Sequence, residues 1–209
     1  MVYLQICITI LLQCFALIYL KAERQNEERN NFIKEMAVAL GSILLTVLVA
    51  VTARQKTANI AEYIKVMTLY QIVYCAAVVD ARKKIIPNLL IGFGICIRVL
   101  CYGLEIFWLK ADLKEILLHD FFGVLAGAGV LLLVYLFSKQ SIGLGDVKLF
   151  GVIGCYMGFS STYTVLFLSV LGSAIAAIYF VCVKKKKKNY NIAFAPFVLL
   201  GYFISIMLS

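Results

Sequence analysis

The sequence predicts an all-α fold, a polytopic transmembrane helix bundle, and three observations carry that prediction. Of 209 residues, 63% are hydrophobic and only 15% are charged, with a mean hydropathy of +0.96. A chain with so little polar side chain cannot cover itself with a water-soluble surface. Apolar windows recur along the whole length, each near the roughly 20 residues that a helix needs to cross about 30 Å of hydrocarbon. Polar runs long enough to form a soluble domain are missing, and no internal repeat is found.

The windows fall near Tyr3 to Leu20, Glu35 to Ala53, Tyr63 to Ala81, Asn88 to Trp108, Phe121 to Phe137, Thr162 to Val183 and Ile192 to Leu208. The first has no charged amino-terminal region and no small-residue cleavage site after Leu20, so it reads as a retained helix and not a cleaved leader. Between Asp146 and Gly158 lies a further apolar segment that is short for a span. It either crosses where the bilayer is thinned or begins partway into it. Counting it gives about eight membrane segments.

Orientation follows from the positive charges, because cytoplasmic loops are enriched in Lys and Arg. With the amino terminus outside, the inner connections hold Lys21, Arg24, Arg29 and Lys34, then Arg82, Lys83 and Lys84, then Lys139 and Lys148, then Lys184, Lys185, Lys186, Lys187 and Lys188. That is most of the 20 basic residues. Removing the short segment would put the five-lysine run on the opposite face from Lys139, which supports it as a true crossing. The net charge of +9 therefore requires no nucleic acid. Lys184 to Lys188 read as an anchor to anionic lipid headgroups.

The polar chemistry is sparse. The seven cysteines all fall in apolar segments without a C-x-x-C pair, so buried free thiols are expected and neither a zinc ribbon nor a redox motif is indicated. His119 is the single histidine. One histidine leaves too few nitrogen ligands for a typical zinc site and no base for a Ser-His or Cys-His nucleophile. Its place in LLHD makes it an interfacial polar residue. No metal and no cofactor are expected.

The eleven carboxylates sort by position. Glu23, Glu27 and Glu28 lie in a polar loop, Glu35 opens a span, and Glu62, Glu105, Asp112, Glu115 and Asp120 are expected at outer boundaries or loops. Arg98 is then the one ionisable residue in the middle of the spans. Two acids remain, Asp80 in CAAVVDARKKIIPN and Asp146 in SIGLGDVKLF, both at the inner ends of their helices. One aspartate at a helix mouth is commonly a cap or an interfacial charge. Two at matched depth in a membrane segment point to function.

The surroundings of each acid sharpen that reading. Gly143 and Gly145 would permit backbone conformations closed to other residues and allow another chain to approach closely. The start of the following helix offers free N–H groups and a positive dipole end to Asp146. Lys148 sits beside it, where it could hold a phosphate headgroup or bias the protonation of the acid. After Asp80 the RKK cluster fixes a helix end, and Ile86-Pro87-Asn88 stops one helix and opens the next, because proline is tolerated in a first helical turn.

An aspartate followed by IPN, and later G-L-G-D-V-K at the same face, together resemble the type IV prepilin peptidases, membrane aspartic proteases of the G-x-G-D class. The similarity runs from about Tyr63 to the carboxyl terminus and includes FAPF at Phe194 to Phe197, which looks like the family's terminal P-F-x-P-F region, although Ala193 stands where many members carry proline. The resemblance implies an aspartic endopeptidase that removes the leader from type IV prepilin or pilin-like precursors at the cytoplasmic face of the inner (plasma) membrane. Asp80 and Asp146 would match the two catalytic aspartates, with Gly143, Gly145, Lys148, Pro87 and Asn88 shaping the site. Residues 63–209 would then form the protease core, and 1–62 two amino-terminal helices with a short cytoplasmic loop.

Two close carboxyls do not both ionise readily, so they share a proton. The ionised one takes a proton from water and the protonated one donates to the scissile carbonyl. Many family members also methylate the new amino terminus through an insert with paired C-x-x-C motifs. Here the corresponding connection is KAERQNEERNNFIK, with no cysteine, so a peptidase-only form is expected. The readings from other classes are a small transporter or proton channel with the aspartates in its conduction path, and a noncatalytic protein that binds pilin helices. Which precursor is cut, and whether the protein forms oligomers, cannot be read from the sequence.

Overall fold

The computed structural model describes residues 30–57, 59–110, 112–137, 142–182 and 193–208. All regular structure in the described residues is helical, in the order α1 Asn30–Lys56, α2 Ile60–Lys83, α3 Asn88–Leu109, α4 Leu113–Val124, a π-helical turn Leu125–Gly129, α5 Val130–Phe137, α6 Leu144–Cys182 and α7 Ala195–Leu208. The chain divides into two compact units, Met1–Ala58 and Asn59–Ser209. In the first, α1 contains the expected Glu35 to Ala53 window. The hydroxyls of Thr46 and Thr52 donate to the carbonyls of Ser42 and Leu48, so these polar side chains are satisfied inside their own helix.

Among the described residues four helical stretches are long and apolar enough to cross a membrane: Ile60–Lys83, Asn88–Phe107, Leu113–Phe137 and Leu144–Phe180, with Ala195–Leu208 shorter. That count does not reproduce the expected eight segments. The Tyr3 to Leu20 window and Lys184 to Lys188 lie outside the described residues, and the short segment and its successor are joined in α6.

The joint in α6 is nevertheless a break. Gly158 has φ 69° and ψ −171°, outside helical geometry and in a region that favours glycine. A methyl group at Gly127 would lie 2.8 Å from Thr162 Cγ2 and 3.0 Å from the Phe150 carbonyl oxygen. Phe150 and Thr162 therefore stand within about 6 Å of each other, whereas twelve residues of straight helix would separate them by about 18 Å. The chain reverses at Gly158, and α6 is a helical hairpin with arms 144–157 and 159–182. The short apolar segment ends where the sequence places its end.

This hairpin is the centre of the second unit, packing against α4, the π turn, α5, α7, α3 and α2. Its contact with α4 is backbone on backbone. A Cβ at Gly123 would stand 2.8 Å from the Gly158 Cα and closer still to the Gly154 carbonyl, so only glycine permits the approach. The second arm carries α7, where Gly201 faces the Val165 carbonyl and Ser169. The Tyr202 hydroxyl then donates 2.7 Å to the Val66 carbonyl, fastening α7 to α2. Phe93, Val99, Leu100 and Phe107 on α3, with Phe121 and Phe122 on α4, remain exposed, as helix faces turned to lipid would be. The thiols are less uniformly buried than expected: Cys101 is buried, Cys75 and Cys155 are half-buried, and Cys96 and Cys182 are exposed.

Two carboxylates expected at outer boundaries are buried instead. The α4 helix starts at Leu113, capped by Asp112, whose Oδ1 accepts 3.0 Å from the Lys114 N–H, so Asp120 falls two turns inside a helix and not at its mouth. Arg98 is 2% exposed and grips Asp120 bidentately, Nε to Oδ2 and Nη2 to Oδ1, each at 3.0 Å. Its Nη1 donates to both Glu105 oxygens at 3.2 and 3.1 Å, two helical turns along the same face of α3. Lys65 on α2 completes the Glu105 pairing at 2.7 Å, and the Tyr102 hydroxyl donates 2.7 Å to Asp120. The guanidinium also lies 4.5 Å from the Tyr102 ring centre and 5.6 Å from that of Tyr156. Arg98 is thus not alone in the spans; two acids and a lysine from three helices surround it, because an unpaired guanidinium there would be costly. His119, by contrast, has a side chain 53% exposed.

Two outcomes follow for purified protein in detergent. Arg98→Leu leaves Glu105 and Asp120 buried against a single lysine and is expected to cost about 3–5 kcal/mol in thermal or denaturant unfolding. Gly158→Ala places a side chain at positive φ against the His119 ring, with an expected loss of about 1–3 kcal/mol. Unchanged unfolding midpoints would remove these residues from the account of stability.

Candidate active site

The site lies at the opposite end of the bundle from the Arg98 cluster, where α2 ends and α6 begins. Lys84 adopts a left-handed conformation, φ 54° and ψ 36°, and its N–H closes α2 on the Asp80 carbonyl at 2.9 Å. Ile85 and Ile86 lie outside regular structure, Pro87 is extended, and α3 starts at Asn88 with Pro87 as its cap. The IPN punctuation therefore does what its residue types dictate: proline at φ −65° lacks the N–H that a helix start would leave unsatisfied anyway.

This connection docks on the start of α6. Ile86 is 7% exposed, and a Cβ built on Gly145 would lie 3.1 Å from the Ile86 Cβ. Asn88 Oδ1 accepts 2.9 Å from Lys148 Nζ, a second tie between the two helix starts. The structure assigns Gly143 and Gly145 a narrower part than expected. Neither has a positive φ, since among the described glycines only Gly158 does. Gly145 is an ordinary helical residue whose missing side chain admits Ile86. Gly143 precedes the helix, and its carbonyl accepts from the N–H groups of Asp146 and Val147 at 3.1 and 3.4 Å.

Asp146 stands three residues beyond Gly143, in the first turn of α6. Its carboxylate turns back toward the helix mouth and is hydrogen-bonded by the Gly143 backbone. This is the arrangement in which a third-position acid caps the N–H of the residue that precedes its own helix. Asp146 is half-buried, while Gly143, Leu144 and Lys148 beside it are exposed. Asp80 is 6% exposed, and its Oδ2 accepts 2.9 Å from the N–H of Ala195, the first residue of α7. Each acid is thus held by a backbone N–H at a helix start, Asp146 by its own helix and Asp80 by one distant in sequence. The two carboxylates are near enough for the Asp80 charge to act directly on Asp146.

Of the seven candidate residues, Asp80, Asp146, Gly143, Gly145, Lys148, Pro87 and Asn88 all belong to this one cluster. Lys148 spends its ammonium on Asn88 within it. Sequence reasoning did not single out Ala195, although it lies inside the FAPF stretch. Its contribution is a backbone N–H, which no residue type announces. Phe194, next to it, stacks at 6.2 Å on Phe150, one turn beyond Asp146. Among the described residues no three His, Cys, Asp or Glu side chains converge as metal ligands.

Chemically, the cluster offers two acids of unlike exposure, fixed backbone donors and an open approach over the start of α6. Such a pair can activate water and protonate a leaving group. Comparison with known proteins agrees in region and kind. The chain is 30% identical over 136 residues to the prepilin leader peptidase/N-methyltransferase of Escherichia coli (strain K12), an alignment covering 62% of this chain and 56% of that protein. The chain thus spans little more than half the length of that relative. No solved structure matches it. The profile of the type IV leader peptidase family matches residues 67–181, which carry both aspartates and more than half of the sequence, so the chain belongs to that family.

Proposed function

We propose that this multi-pass membrane protein is an aspartic endopeptidase that removes the leader from type IV pilin-like precursors at the cytoplasmic face of the inner (plasma) membrane. The observation that carries the reading is that the connection following Asp80 docks on the start of α6, which carries Asp146, so that two acids from distant parts of the chain share one end of the bundle. The name of the Escherichia coli relative supports the substrate class. The positive charge of Arg82, Lys83, Lys84 and Lys148 around the pair supports the cytoplasmic side, and with it an external amino terminus.

In this mechanism one carboxyl holds the shared proton and the other is ionised. Water between them loses a proton to the carboxylate and attacks the scissile carbonyl, while the protonated partner donates to the carbonyl oxygen; the first carboxyl then passes its proton to the amide nitrogen and the partner takes one back from the gem-diol as the C–N bond breaks. The exposed start of α6 is where an extended substrate segment enters, its backbone groups meeting protein and not lipid. Residues 63–209 form the protease core. Methyl transfer, which the relative's name also carries, is not assigned to this chain, because the connection from Lys21 to Lys34 holds no cysteine. A conduction path through the aspartates is the weaker reading, since Glu105 and Asp120 farther along the bundle are closed by Arg98 and Lys65.

Coexpression with a type IV pilin precursor, followed by gel shift of the leader, tests the proposal. Asp80→Asn and Asp146→Asn are each expected to leave the precursor uncut, a loss of at least about 10³-fold in rate, while still inserting at normal levels. Chelators are expected to leave turnover unchanged. Processing that continues in both variants would sink the mechanism.

A further inference from the structure

We propose that Ala195, through its backbone N–H, is a positioning residue that holds Asp80 in its working orientation, and that the start of α7 sets the geometry of the carboxyl pair; this rests on the peptidase reading above. Packing limits a buried aspartate to a few rotamers, and a hydrogen-bond partner selects among the remaining carboxyl orientations. Here Asp80 Oδ2 accepts 2.9 Å from Ala195 N–H in a buried setting, with Asp80 6% and Ala195 0% exposed.

The local sequence makes this donor single. The next residue, Pro196, has no N–H, and the N–H groups of Phe197 and Val198 both turn back to the Phe194 carbonyl at 2.9 and 3.2 Å. Ala195 therefore supplies the one N–H in the first two positions of α7, and it is spent on Asp80. The neighbouring Phe194 ring meets Phe150 at 6.2 Å, and Phe150 follows Asp146 by one turn on the same face of α6. The start of α7 thus touches both acid-bearing helices, by a hydrogen bond to one and a ring contact to the other.

The rest of α7 is anchored independently. Tyr202 bonds the Val66 carbonyl, Gly201 packs on Ser169, and a Cβ at Gly172 would lie 3.4 Å from the Phe197 ring. Loss of the Ala195 donor therefore frees the Asp80 side chain without releasing the helix. A bond that only stapled α7 to α2 would instead show itself in stability.

The substitution Ala195→Pro separates these roles. Proline is favoured at the first position of a helix, with the φ already required there, so it deletes the N–H and little else. A backbone ester at position 195, lactate in place of alanine, deletes the same N–H with no added ring and serves where the proline variant does not fold. Ala195→Gly keeps the N–H. Purified full-length protein is assayed on a pilin precursor for kcat and KM, alongside thermal unfolding. The expected result is a fall in kcat of about 10- to 100-fold for the proline and ester forms, with KM within about twofold, the unfolding midpoint near wild type and Ala195→Gly close to wild type in kcat. Wild-type kcat in the ester or the folded proline form overturns the proposal, as does a kcat loss in Ala195→Gly equal to theirs. Asp80→Asn distinguishes the two levels. If it cleaves normally, the peptidase reading itself fails; if it is inactive while the N–H deletions cleave normally, only the role of Ala195 fails.

Discussion

Charge placed within an apolar bundle must find its partners inside the protein, and this constraint organises the structure at both ends. At one end Arg98 draws Glu105 and Asp120 inward, and Lys65 joins them, so that α2, α3 and α4 are tied by pairs that water cannot replace. At the other end Asp80 is satisfied by a backbone N–H and Asp146 by the mouth of its own helix. The first cluster balances its two cations against its two anions and is closed. The second brings two acids to one end of the bundle, each bonded to backbone, and it opens at the start of α6. A closed network suits structure; an open acid pair suits chemistry.

The hairpin in α6 connects the two ends. Its first arm carries Asp146 at one extremity and Gly158 at the other, and its second arm returns to support α7. The Ala195 donor reaches Asp80 because α7 lies along that second arm, and the second arm lies there because the chain reverses at Gly158. The reversal in turn needs the glycine contacts of Gly123 with Gly154 and Gly158, and of Gly127 with Phe150 and Thr162. A residue near the far end of the bundle thus bears on the aspartates through rigid helix placement alone.

Much of this was legible residue by residue. The helix breaks at Pro87 and Gly158, the apolar windows and the shortlist of two acids follow from residue types whose preferences are local. The Arg98 cluster was not legible. Glu105 and Asp120 read as boundary charges because hydropathy assigns depth by sequence neighbours, whereas their depth is fixed by a guanidinium on the facing helix. Gly143 and Gly145 suggested unusual backbone torsions and room for another chain; neither has a positive φ, and the space at Gly145 is occupied by Ile86 of this chain.

By itself the sequence determined that the chain is a helical membrane protein, where its helices break, and which two acids to shortlist, because hydropathy, proline chemistry and charge act over a few residues. Only the tertiary structure decided that Asp80 and Asp146 come to one end of the bundle, that the Ala195 N–H bonds the first of them, and that Arg98 has two carboxylate partners. Those are distances between helices, and packing between helices depends on the whole set of faces at once, which no local window contains.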